Sequence, residues 1–144
     1  MATQVIIFDF DGTIVESNGI KDQAWFEVFP FKSERAVKLI GEKSRGSRAT
    51  RYQIAREIIL SLAVAGEMKY DNIDEEVAIR SEKFGEIVEE GIVEGRGVDG
   101  AYAMLQHLHD RGFALYLLTG TPLLPLQKVV ARMEKIGKII PFRG

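Results

Sequence analysis

The chain has 144 residues, 46% of them apolar, which is enough for about one ordinary domain with a packed core. A net charge of −2 gives no general pull toward nucleic acid or anionic membrane, and the absence of cysteine rules out disulfides and thiolate metal sites. The first apolar run begins at residue 5, leaving no room for a signal peptide, and no apolar stretch nears the ~20 residues that span a bilayer. A cytoplasmic protein is expected.

Val5-Ile6-Ile7-Phe8 has the length and β-branching of a buried parallel strand. It runs into Asp9-Phe10-Asp11-Gly12-Thr13. Alternation along an extended chain sends Asp9 and Asp11 to one side and Phe10 to the other, and Gly12 permits a sharp turn. Open α/β sheets bind ligands at the C-terminal ends of their strands. Two carboxylates there form an oxygen-rich site suited to Mg²⁺, which commonly arrives with a phosphate. The four fixed residues of D-x-D-G-T occur by chance about once in 10⁵ positions, so the stretch reads as chemistry rather than a solvated turn.

Ile20, Ala24 and Val28, with Phe26 and Phe29 beside them, predict an amphipathic helix stopped by Pro30. Trp25 and Phe26 read as its core contacts. Residues 33–40 predict a short helix ending at Gly41. Gly46-Ser47 leads into a longer one with Ile54, Ala55, Ile58, Ile59 and Leu62 on its apolar face. Asn72 and Glu75 have the spacing of a capping box, opening a helix that carries Ile73, Val77, Phe84, Ile87 and Val88. The acidic run 74–76 suits a helix N-terminus. Gly91 to Gly100 is glycine-rich and reads as a return hinge. Its G-x-G-x-x-G at 95–100 follows a helix rather than a strand, which is the wrong context for a dinucleotide loop.

A helix then places Ala101, Met104, Leu105 and Leu108 inward and stops at Gly112. His107 and His109 lie two apart on it, diverge, and take surface or packing roles. Residues 113–118 predict a second buried strand, ending at Thr119-Gly120-Thr121-Pro122. Proline opens the next helix, whose stripe is Leu123, Leu126, Val130 and Met133 and whose stop is Gly137. Ile139-Ile140 would begin a third strand. The basic stretch 32–51 reads as a solvated helical face. Few aromatics interleave its charges, so nucleic-acid binding is not expected.

Asp9-Phe10-Asp11-Gly12-Thr13 resembles the first motif of the haloacid dehalogenase (HAD) superfamily, and Leu117-Leu118-Thr119-Gly120-Thr121-Pro122 is similar to its second. The resemblance implies an α/β fold: a partial, Rossmann-like core of parallel strands from residues 1–16 and 93–144, with a helical cap inserted at 17–92. It also implies a phosphatase acting on a small phosphorylated metabolite through an aspartyl-phosphate. Asp9 would be the nucleophile, and Asp11 the general acid and then base. Mg²⁺ would sit on the Asp9 carboxylate and the Asp11 backbone carbonyl. Thr119 would serve catalysis by holding the transferring phosphoryl group, with phosphate contacts from Phe10, Gly12, Thr13, Gly120 and Thr121. Arg45 or Arg48 would reach the substrate from the cap.

The family pattern further calls for a lysine and an acidic pair beyond the second motif, and Glu134 is the only carboxylate after Thr119. Lys128, Lys135 and Lys138 read as solvated positions. Pro141-Phe142-Arg143-Gly144 resembles the start of the family's third strand. The alternative readings are a non-catalytic metal- and phosphate-binding remnant and a phosphomutase of the same family. An uncovered edge on the first strand would favour self-association.

Overall fold

A computed structural model describes residues 2–45, 49–95, 97–138 and 141–143. Its elements are β1 (Val5–Phe8), α1 (Ser17–Val28), α2 (Glu34–Ser44), α3 (Arg51–Val64), α4 (Ile73–Glu94), α5 (Ala101–Asp110), β2 (Ala114–Leu117) and α6 (Leu123–Lys135). They divide into two compact units, Met1–Ile20 with Glu89–Gly144, and Lys21–Val88. No helix among the described residues is long and apolar enough to cross a membrane.

The first unit is built on a parallel pair. β1 and β2 align Val5 with Ala114 through Phe8 with Leu117, a register that needs a long crossover because parallel strands cannot be joined by a tight turn. The ladder extends at both ends: the Ala114 N–H donates to Gln4 O at 2.9 Å and the Leu118 N–H to Phe8 O at 2.8 Å. Leu105 of α5, Ala114 and Leu115 of β2, and Val129 and Met133 of α6 are buried and form its core. Gly112 and Gly137 sit at φ +84° and +83°, the left-handed geometry that closes α5 and α6.

Several expectations are corrected here. β1 is not buried on both faces, since Val5 and Ile7 are 56% and 63% exposed. Met104 and Leu123 also face solvent; the buried residues of α6 are Met133, as expected, and Val129. The proposed strand at Ile139-Ile140 lies outside the described residues. Just beyond it Phe142 bridges Leu115 in parallel, and the Arg143 N–H donates to Leu115 O at 2.8 Å. A third parallel segment therefore starts on the side of β2 away from β1.

The second unit is helical. Trp25 stacks on Phe84 with ring centroids 4.1 Å apart and on Phe29 at 6.3 Å, and all three are buried. Burying one such ring contributes about 2–3 kcal/mol. Arg80 lies over the Phe29 ring and donates to Val28 O, satisfying a carbonyl at the end of α1, while Glu76 holds its Nε at 2.8 Å. Ser33 caps α2 by accepting from the Ala36 N–H. Thr50 and Gln53 form a reciprocal capping box on α3, whose buried stripe is Ile54, Ala55, Ile58, Ile59 and Leu62. Asn72 Oδ1 accepts from the Asp74 and Glu75 N–H groups at the start of α4.

Gly41, read as a helix stop, and Gly91, read as the start of the return hinge, are instead helix interior. α2 passes through Gly41 to Ser44, and α4 passes through Gly91 to Glu94. Gly41 is buried with the Phe26 ring close by; a Cβ on Gly91 would fall 2.6 Å from Ile20 Cγ2. At Gly91 the small residue admits a neighbouring side chain, a tertiary demand that outweighs its poor helix propensity.

Candidate active site

The ladder bond from Leu118 to Phe8 sets the segments Asp9–Thr13 and Thr119–Pro122 at the same end of the parallel pair. Past β1 the chain makes a closed loop. Phe10 O accepts the N–H groups of Thr13, Ile14 and Val15 at 3.4, 3.0 and 3.2 Å, and the Gly12 N–H donates to Val15 O at 2.7 Å. Gly12 has φ +74°, which an L side chain adopts only with strain. The loop is tied down from within the same unit, because Val15 bridges Gly97 and the Val98 N–H donates to Ile14 O at 2.9 Å.

Burial along the loop follows the expected alternation. Phe10 is 1% exposed, Asp11 half-buried and Asp9 exposed. Asp9 Oδ1 accepts from the Phe10 N–H at 2.8 Å. Asp11 is held at both oxygens: Ser17 Oγ donates to Oδ1, and Thr121 Oγ1 to Oδ2 at 3.4 Å. That second contact joins side chains 110 residues apart. Thr119 Oγ1 accepts the Thr121 N–H at 3.1 Å, fixing the turn that presents both threonines.

The structure thus brings Asp11, Thr119 and Thr121 into one hydrogen-bonded set at the strand tips, with Asp9 next to it in the chain. Gly12, Thr13 and Gly120 are exposed around it. Arg45 belongs to the helical unit, where it is exposed at the C-cap of α2 in extended backbone. Arg48 lies outside the described residues.

Among the described residues no three His, Cys, Asp or Glu side chains gather into a metal cluster. The donors at the strand tip are nevertheless oxygens, and the exposed Asp9 carboxylate leaves space for the waters that Mg²⁺ retains. They fit a hard divalent cation in kind.

A model of the haloacid dehalogenase-like hydrolase family matches residues 3–140. The chain belongs to this family. Among solved structures, the HAD chain is similar to the candidate HAD-hydrolase YfnB from Bacillus subtilis, whose crystal structure is bound to magnesium. That match has a TM-score of 0.60 at 20% identity and covers 99% of this chain. At that identity the likeness carries the fold, a mixed α/β chain with a short parallel sheet. The HAD chain spans 64% of that protein's length. A comparison with curated proteins finds no match.

Two residues of the HAD chain escaped the sequence reading. Ser17, fully buried, opens α1 and donates to Asp11. Its signal is a small polar residue at the first position of a predicted helix that follows an acidic turn. Lys138, expected in solvent, instead donates from Nζ to Val93 O at 3.1 Å and Gly95 O at 2.7 Å. Its positive charge meets the orphan carbonyls at the end of α4, where a helix dipole favours a cation.

Proposed function

We propose that this HAD chain is a phosphoric monoester hydrolase acting on a small phosphorylated metabolite through an aspartyl-phosphate. The observation that carries the reading is the contact of Thr121 with Asp11, which couples the second motif to the first. Asp9 has one carboxylate oxygen engaged by the Phe10 N–H, so Oδ2 is the atom offered to phosphorus. In-line attack by that oxygen forms the Asp9–phosphorus bond and breaks the ester bond, while Asp11 delivers a proton to the departing alkoxide. Asp11 then takes a proton from water, whose oxygen attacks the same phosphorus. Inorganic phosphate leaves, and both carboxyl groups return to their starting states.

Thr119 accepts the Thr121 N–H and so keeps its O–H to donate to a phosphoryl oxygen, with the Gly120 N–H beside it. Phe10, Gly12, Thr13 and Thr121 contribute the remaining contacts of the phosphate seat. Mg²⁺, held by the Asp9 carboxylate and the Asp11 main-chain carbonyl, would neutralise charge on the transferring group. The helical unit, Arg45 included, is read as the substrate-selecting cap. The exposure of Val5 and Ile7 on β1, which pairs only with β2 among the described residues, favours self-association through this strand.

The test is Mg²⁺-dependent phosphate release from 4-nitrophenyl phosphate and a panel of small phosphate esters. Asp9→Asn is expected to lower the rate by at least about 10³-fold. A folded chain that releases no phosphate with Mg²⁺ would replace this reading with the non-catalytic one.

A further inference from the structure

We propose that Leu118, Leu123 and Leu124 receive the organic group of the substrate, so that the chain takes the phosphate ester of an apolar alcohol rather than of a sugar or polyol. The inference rests on the reading of Thr119 and Gly120 as the phosphate seat. It starts from an anomaly of exposure. Leu118, Leu123 and Leu124 are 73%, 66% and 70% exposed, and among the described residues only Val64, in the helical unit, leaves a larger share of a large apolar side chain in water. One exposed leucine needs no explanation, but apolar side chains grouped at the surface mark a place that receives something. These three flank the Thr119–Pro122 turn: Leu118 is the first residue past β2, and Leu123 and Leu124 open α6.

Two features say what they receive. The first is reach. A chain spans at most about 3.6 Å per residue, so the Cα atoms of Leu118 and Leu123 lie within about 7 Å and 11 Å of that of Gly120. An ester anchored by its phosphate at Thr119 and Gly120 starts its carbon chain among these side chains. The second is charge. Residues 112–127 contain no Asp, Glu, Lys, Arg or His. A hydroxylated or charged organic group laid over that stretch gives up water without gaining an ionic partner, whereas a hydrocarbon chain and the leucines leave water together.

The test uses the whole chain with Mg²⁺ and takes two readouts. In the first, kcat/KM is measured for methyl, butyl and hexyl phosphate and for glycerol 1-phosphate. It is expected to rise about 2- to 4-fold per methylene, with the glycerol ester at least about 10-fold below the butyl ester. A variant carrying Leu123→Ser and Leu124→Ser, both surface changes, is expected to lose most of that rise, its deficit growing with chain length. No rise in the native chain, or an equal loss on every ester in the variant, would overturn the proposal.

In the second, binding of methylphosphonate and hexylphosphonate, which cannot be hydrolysed, is followed by NMR on the leucine methyl groups. Hexylphosphonate is expected to bind at least about 30-fold more tightly and to shift the methyl signals of Leu118, Leu123 and Leu124, whether or not the chain turns over. Equal or absent binding would overturn the proposal even where esters are hydrolysed. A chain-length preference in binding without release of phosphate from any ester sinks the phosphatase reading and keeps the apolar subsite. Light scattering covers the other occupant: a dimer that the double variant dissociates, with the chain-length preference intact, assigns the leucines to a second copy and overturns the proposal as well.

Discussion

Gly97→Ala perturbs the acidic loop from a distance. Gly97 bridges Val15 in antiparallel fashion and thereby anchors the loop that carries Asp11. The obstacle is steric. A Cβ at this position would lie 2.2, 2.7 and 2.9 Å from Cε2, Cζ and Cδ2 of the Tyr102 ring, far inside van der Waals contact. A rigid ring near the start of α5 cannot yield by rotating a terminal atom; the ring or the 97–98 backbone must shift.

Overpacking of this kind costs about 1–3 kcal/mol. For a chain of this length that corresponds to a fall in Tm of roughly 3–12 °C. The assay is thermal unfolding followed by circular dichroism, run as a double-mutant cycle with Tyr102→Ala. Removing the ring removes the clash, so G97A should cost less than about 0.5 kcal/mol in that background. An equal cost with and without the ring, or no cost in the native background, would refute the steric argument.

Further outcomes follow from other contacts. The Tyr102 hydroxyl is buried without a hydrogen-bond partner among the described residues, and its pKa is raised above the ordinary phenol value by desolvation. Tyr102→Phe should therefore raise stability by about 1 kcal/mol at neutral pH. An ultraviolet titration should show one of the four tyrosines ionising late, with stability lost as pH rises through that step. Arg132 bonds Glu89 at 3.0 Å and Glu90 at 2.8 Å and holds the Glu90 carboxyl below its usual range. That contribution should be present above the ordinary glutamate pKa and fade as pH falls through the lowered value, and Arg132→Ala should abolish the pH-dependent part in low salt. Phe84→Ala should cost about 3–5 kcal/mol and red-shift the emission of Trp25, the sole tryptophan.

Local physics made most of the elements legible. The apolar runs at 5–8 and 114–117 became strands, and the stripe from Ile54 to Leu62 became the buried face of α3. What sequence reading missed was set by neighbours distant in the chain. Gly91 reads as the start of a hinge until Ile20 is known to press on it, and Gly41 as a helix stop until it is seen buried near the Phe26 ring. Val5 and Ile7 have the composition of a doubly covered strand, yet composition does not say what covers each face. Within the site, the motif residues could be named, but not their pairing. That Thr121 meets Asp11 rather than pointing away depends on the register of two strands more than a hundred residues apart. Lys138 could be placed only once α4 was seen to end at Glu94 beside it.

Phe10 stands between the two acids, with its ring sunk in the interior and its carbonyl gathering three N–H groups of the loop. The aim of both carboxylates is consequently inherited from how one aromatic side chain seats itself in hydrocarbon. In a deep mutational scan this position should tolerate change as poorly as a reacting group, although it meets no reactant through its side chain. Attempts to retune the acids should begin with the shape of the cavity that this ring fills.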